Sequence, residues 1–256
     1  ALKDVQAQFH PDRILIEPSG VGKLSDVIVA VQNTADETDD MKLNSFVTVA
    51  DATKVKVYMK NFGEFYNNQI EAAGTIILSR TQKLSQEKLE AAAALLREKN
   101  PDAAILTTPW DQLDGKTILA AMEKVSLEEE LLAKMRAEHA AEEAEHAHHH
   151  DHDHDHEHHH HHHADEVFTS WGKETPHKFT NEKIEDVLKT LCETDDYGTI
   201  LRAKGMVEDE NGTWIYFDMV PGEYELRDGE PDYTGRIVVI GTDIHEHELE
   251  ELFGLA

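Results

Sequence analysis

Four near-continuous apolar runs of strand length punctuate the first half of the chain. They are Arg13-Ile14-Leu15-Ile16, Ser45-Phe46-Val47-Thr48-Val49, Thr75-Ile76-Ile77-Leu78 and residues 103–106. A strand with one wet face alternates polar and apolar positions, whereas a run that is apolar throughout is buried on both faces, as in a parallel sheet. Helical stretches separate these runs, most clearly Gln86–Lys99 (QEKLEAAAALLREK), with Ser85 placed to cap it and Pro101 just past its end. Alternation of strand and helix predicts a doubly wound α/β sheet. A long helix is then expected from a capping box, Ser126-x-x-Glu129, with Leu127, Leu131 and Met135 forming an apolar stripe to dock on the first domain.

The pattern changes character in the last third. Ile184, Val187, Leu188 and Leu191 recur at helical spacing over 181–192, and strands at 199–207 and 213–220 flank Asn211-Gly212, a strong hairpin signal. A further strand at 236–240 precedes a final helix, expected to open at the capping box Asp243-x-x-Glu246. This mixture predicts a small α+β domain. The organisation that follows is an α/β domain over 1–137, a linker over 138–166 and an α+β domain over 167–256.

Composition alters the picture mainly within the linker. Twelve of the eighteen histidines lie between positions 148 and 163: His148, His149, His150, His152, His154, His156, His158, His159, His160, His161, His162 and His163. Asp or Glu fills every gap. Neutral imidazole nitrogens and carboxylate oxygens suit borderline divalent metals such as zinc, cobalt and nickel, and so dense a tract offers many overlapping ligand sets. It cannot bury apolar surface, and is expected to be a mobile tether. Six consecutive histidines also read as a purification tag; against that, they are internal and continue an irregular His/Asp/Glu pattern.

The formal charge of −28 argues against nucleic acid or anionic membranes as partners. A single cysteine, Cys192, excludes an internal disulfide framework, and its apolar neighbours predict a packed thiol. No apolar stretch approaches the length of a membrane span, so a soluble, cytoplasmic protein is expected.

Candidate chemistry begins at Glu17-Pro18-Ser19-Gly20, which follows the first apolar run. Ligands of open parallel sheets gather beyond the carboxyl ends of strands, so Glu17 is placed to hold magnesium through water and Gly20 to bond a phosphate. A plain polar turn is the competing reading. Two fragments imitate a phosphate loop but fail it. Gly22-Lys23 is followed by Leu24 with Glu17 at the first-glycine position, and Gly115-Lys116-Thr117 has Trp110 there. His245 and His247, two residues apart on the last helix, fall on different faces and read as solvated.

Taken in order, Leu15-Ile16-Glu17-Pro18-Ser19-Gly20, Val47-Thr48-Val49-Ala50-Asp51-Ala52 and Ser79-Arg80-Thr81-Gln82 resemble the CobW-like family of P-loop GTPases. In the second half, Leu201-Arg202-Ala203-Lys204-Gly205, Trp214-Ile215-Tyr216-Phe217-Asp218 and Arg236-Ile237-Val238-Val239-Ile240-Gly241 resemble that family's C-terminal domain. The resemblance implies a P-loop-NTPase-like, mostly parallel sheet followed by the α+β domain. It implies a GTPase acting as a metallochaperone or metal-insertion factor for Zn, Co or Ni, with GTP and Mg as ligands and a client metalloprotein docking on the C-terminal domain. By the same analogy Glu17 assists magnesium, Gly20 senses the γ-phosphate, Ser19 is a further nucleotide-binding residue, and Ser79, Arg80 and Gln82 hold the base. A Gly-rich phosphate loop and a Cys-x-Cys-Cys metal motif would lie upstream of Ala1, so the chain is expected to be N-terminally incomplete and to lack most triphosphate contacts. The family commonly has Asn-Lys-x-Asp where this chain has Ser79-Arg80-Thr81-Gln82. Gln82 offers one carbonyl acceptor and an NH₂ donor, which weakens a two-bond contact to guanine. A planar guanidinium at Arg80 can stack on a base. The alternative from a different class is a non-enzymatic metal buffer, in which the α/β domain is scaffold only.

Overall fold

The computed structural model describes residues 2–18, 22–38, 40–123 and 169–256. The chain divides into two compact units, Ala1–Lys124 and Val125–Ala256. Among the described residues no helix is long and apolar enough to cross a membrane.

In the first unit, β1 (Val47–Asp51), β2 (Thr75–Ser79) and β3 (Ala104–Leu106) form a parallel sheet in that order. Val47 pairs with Thr75 and Thr75 with Ala104. In β2, Ile76 and Leu78 are fully buried on one face, and on the other Thr75 is buried and Ile77 half-buried. β1 departs from the expectation of two buried faces, since Thr48 and Ala50 are buried on one face while Val49 on the other is 61% exposed. Six helices accompany the sheet: α1 (Leu2–Phe9), α2 (Leu24–Asp36), α3 (Val55–Asn61), α4 (Gly63–Glu71), α5 (Gln86–Lys99) and α6 (Gly115–Met122). α5 has the bounds its pattern predicts. It presents Ala92 and Leu96 to a core shared with Ala50, Val55, Ile70, Ile76, Leu78 and Ile105. Ser85 sits at its N-cap position, but the side chain makes no capping bond there.

The run 13–16 is not a strand. Residues 13–18 are irregular, Leu15 is 88% exposed, and the run has no ladder partner among the described residues. An apolar run becomes a strand only when its N–H and C=O groups find a neighbour to pair with. Arg13 instead reaches Glu123, with Nη2 2.8 Å from Oε1. The capping box at Ser126, the stripe Leu127/Leu131/Met135 and the histidine tract all lie outside the described residues.

The second unit is an antiparallel sheet of β4 (Thr169–Thr175), β5 (Thr199–Glu208), β6 (Trp214–Val220), β7 (Glu223–Gly229) and β8 (Gly235–Thr242), in the order β4-β8-β5-β6-β7. Two helices, α7 (Asn181–Glu193) and α8 (Glu246–Phe253), contribute Ile184, Val187, Leu188, Leu191, Leu249 and Phe253 to a core with Val207, Phe217, Ile237 and Val239. The rings of Trp171 and Phe253 stack at 5.6 Å within it. Thr180 caps α7 by accepting from the Lys183 amide at 3.1 Å. Cys192 packs against this core, its Sγ 3.8 Å from the Val220 carbonyl.

The hairpin from β5 to β6 turns on Asp209 as much as on Asn211-Gly212. The buried Asp209 carboxylate accepts from the amides of Asn211 (2.7 Å) and Thr213 (3.0 Å). Gly212 supplies the positive φ of 87° that the turn needs. The last helix starts later than its capping box predicts. Asp243 turns the chain in the left-handed region (φ 53°) and His245 stands at the N-cap position, so Glu246 opens the helix instead of closing a box. His245 is exposed, with Nδ1 2.8 Å from the Asp196 carbonyl, and His247 is exposed beside Glu251.

Candidate functional site

Parallel strands bring their carboxyl ends to one edge of the sheet, and the residues that follow them there are positioned by the strands' registers. Past that edge of β1, β2 and β3 lies a cavity of about 500 Å³, within the usual size of small-molecule sites. Its lining is Val49, Ser79, Arg80, Thr81, Gln82, Trp110 and Asp111. Ser79, Arg80 and Gln82, three residues singled out in the sequence, are thus brought together around one space.

Local bonding explains the shape of this edge. The Ser79 hydroxyl donates to the Ala50 carbonyl (3.2 Å) and the Ala52 amide to the Ser79 carbonyl (3.0 Å), tying the ends of β1 and β2. Arg80 then takes a left-handed conformation (φ 63°), which redirects the chain into a short 3₁₀ turn over Thr81–Lys83. Its guanidinium is held by Asp51, with Nη1 2.7 Å from Oδ2. Asp51 also accepts from the amide (2.9 Å) and hydroxyl (2.6 Å) of Thr53. Burial raises the Asp51 pKa, but the Thr53 bonds and the Arg80 charge outweigh it and hold the carboxyl below its ordinary value. Opposite, the Trp110 indole donates to the Leu78 carbonyl (3.0 Å) while the residue stays 47% exposed, which fixes a flat aromatic surface at the cavity. Tyr66, whose pKa burial, Asp51 and Tyr58 push up to about 12, has a buried hydroxyl without a partner.

The fit to a nucleobase is tested by the polar groups left over. The Thr81 hydroxyl is buried and unpaired. Among the described residues, Gln82 and Asp111 have no hydrogen bond or ion pair. A space with a fixed indole, a planar guanidinium and three unspent polar side chains suits a flat, polar-edged ring.

The other candidates lie elsewhere. Glu17 is exposed in the irregular stretch and does not line the cavity. Ser19, Gly20 and the twelve histidines are outside the described residues, and among the described residues no group of three His, Cys, Asp or Glu is placed to hold a metal. Of the phosphate-loop imitations, Lys23 precedes α2 and pairs with Glu64, and Gly115 opens α6, where Asp114 already accepts from the Thr117 amide (2.7 Å). Sequence reasoning missed Val49, Thr81, Trp110 and Asp111. The signal was available for the last two, because they follow β3 as Ser79–Gln82 end and follow β2.

Residues 1–107 match the nucleotide-binding domain family described as CobW/HypB/UreG. Residues 168–255 match the cobalamin synthesis protein CobW C-terminal domain. The chain belongs to the CobW family. A curated relative of this CobW-family chain is zinc-regulated GTPase metalloprotein activator 1 of Schizosaccharomyces pombe, 22% identical over 251 residues, which cover 91% of the chain. The chain spans 61% of the length of that relative. Two solved structures also match, the Zn(II)-bound YjiA GTPase from E. coli and a Zn(II)-bound triple mutant of YjiA. The first is 20% identical with a TM-score of 0.40, covering 100% of this chain and 75% of the other. The second is 20% identical with a TM-score of 0.38, covering 99% and 74%.

Proposed function

We propose that the chain is part of a GTP-dependent metallochaperone or metal-insertion factor, carrying its base-binding edge, its histidine-rich linker and its C-terminal domain. The observation that carries the reading is the cavity at the carboxyl edge of the parallel sheet, lined by Ser79, Arg80, Thr81 and Gln82 with Trp110. Membership of the CobW family supports a nucleotide there. The zinc-regulated GTPase metalloprotein activator among its relatives supports a metal cargo and a client metalloprotein.

In this reading the base sits in the cavity, Glu17 assists magnesium, Gly20 senses the terminal phosphate, and Ser19 is a further nucleotide-binding residue. The twelve histidines from His148 to His163 collect Zn, Co or Ni on a linker (138–166) between the nucleotide-binding domain (1–137) and the C-terminal domain (167–256), on which the client docks. Metal is cargo here, and nucleotide state governs its release.

The test is titration of Zn, Co and Ni into the full-length protein, with and without GTP and magnesium. Nucleotide is expected to change metal affinity or stoichiometry. Uptake by the tract is expected to fall below about pH 6.5, because protonated imidazole cannot coordinate, and to vanish on deletion of 148–163. Metal binding that is indifferent to nucleotide would leave a passive metal buffer and overturn the coupled chaperone.

A further inference from the structure

The polar groups around the cavity are not equally free. Ser79, Arg80 and Trp110 are committed to the protein, through the Ala50 carbonyl, Asp51 and the Leu78 carbonyl respectively. Thr81, Gln82 and Asp111 remain. These differ in what they can recognise. A carboxylate accepts only, with two oxygens in one plane; an amide accepts once and donates; a hydroxyl does either.

Guanine presents two adjacent donors, N1–H and N2–H₂, beside the O6 acceptor. Two parallel N–H bonds demand two acceptors side by side, which Gln82 cannot supply and Asp111 can. We propose that Asp111, carried on the short 3₁₀ turn Trp110–Gln112 after β3, is the carboxylate that reads guanine in this pocket, with Gln82 donating to O6. This rests on the nucleotide reading above and adds the base-specifying residue to it.

Discrimination follows from the same inventory. Adenine places the bare N1 lone pair where guanine has N1–H, so the Asp111 oxygen would face another acceptor. A site built around a polar partner rejects the analogue that lacks it more strongly than an apolar pocket rejects a missing methylene. Arg80 and Trp110 would stack on either purine alike, and so contribute affinity without choice. In the structure Asp111 is exposed and without a partner among the described residues, so its replacement disturbs nothing that holds the fold.

The experiment is competition among GTP, XTP and ATP for the full-length protein and for its Asp111→Asn and Gln82→Ala variants, with melting temperature as the check on folding. The wild type is expected to prefer GTP over ATP. Asp111→Asn should lose about 10- to 100-fold in GTP affinity, the range for one charge-assisted bond. It should gain on XTP, since an amide can accept from N1–H and donate to the xanthine O2. Gln82→Ala should weaken GTP and XTP together. An unchanged GTP-to-XTP ratio in Asp111→Asn would overturn the assignment while leaving the nucleotide site standing. A wild type that prefers ATP would do the same and hand the reading to Gln82. A wild type that binds none of the three would remove the nucleotide reading itself, and the assignment with it.

Discussion

Asn100 does more for the first unit than its place at the end of a helix announces. It is buried, and its Nδ2 donates to the carbonyls of Ile70 and Ala73 at 2.8 Å each. Its Oδ1 accepts from the amides of Asp102 (3.1 Å) and Ala103 (2.9 Å). One side chain thus joins the end of α4 to the start of β3 across the foot of α5. Asn100→Ala would strand buried carbonyls and amides together, at about 1–3 kcal/mol for each group left unsatisfied, so a net loss of about 3 kcal/mol is expected. Urea unfolding followed by far-ultraviolet circular dichroism, weighted to the first unit by its six helices, measures it. Asn100→Asp should cost as much, because a carboxylate cannot donate to two carbonyls; a variant within 0.5 kcal/mol of wild type by ordinary surface-mutation behaviour would show that water replaces the clip. None of this was legible beforehand, because an Asn before Pro reads only as a helix stop. The cavity behaves the same way. Ser79, Arg80 and Gln82 could be singled out from one contiguous tetrapeptide, whereas Asp51 and Asp111 join them only through strand pairing.

At the scale of elements, what the sequence revealed depended on burial. Buried strands and helices announce themselves: β2, α5 and α7 fall where their apolar positions put them, and β5, β6 and β8 end within two residues of expectation. Two strands went unread, β4 and β7, both at the edges of the second sheet. β7 carries only Tyr224 and Leu226 inward, too few to stand out among Glu, Arg and Asp. The run 13–16 failed in the opposite sense, apolar enough for a strand yet without a neighbour. Glycine on a strand was also informative only after the fact. Gly205 on β5 sits opposite Phe217 on β6, and a Cβ there would lie 2.3 Å from the Phe217 ring and 2.7 Å from the Arg236 carbonyl. The aromatic ring lies over the glycine and covers its backbone. Gly205→Ala is therefore expected to destabilise the second unit by about 1–3 kcal/mol, as overpacking does. Gly63→Ala, at the start of α4 with nothing within 4 Å of the added carbon, should be neutral or slightly stabilising. Paired thermal melts decide it; equal shifts for both would mean that the Phe217 ring moves aside freely.

For the whole molecule, charge sets two opposing trends with pH. The formal charge of −28 disfavours a compact state through self-repulsion, and protonating the twelve histidines of the tract would reduce it to −16. Acidification from pH 7 to about 5 should therefore relieve strain before it does harm, within the ordinary imidazole range. Below that, two carboxyls decide. Asp51 in the first unit and Asp209 in the second both titrate below the ordinary value. At Asp209 burial pulls upward, and the Thr213 hydroxyl with the amides of Thr213 and Asn211 more than offsets it. A carboxyl depressed in the folded state gives the unfolded chain the greater appetite for protons. The stability it contributes is fully present above the unfolded pKa of about 3.9 and disappears as pH falls through the lower folded value. Stability should thus hold or rise slightly from pH 7 to 5, then fall steeply below about 4. Urea midpoints taken across that range would trace the curve, with fluorescence weighted to the second unit by Trp171 and Trp214. Asp209→Asn, which keeps one acceptor for the hairpin amides and has no proton to take up, should be less stable at pH 7 and lose less of its stability on acidification. If its acid limb were as steep as that of the wild type, the hairpin carboxylate would not be what acid attacks in that unit.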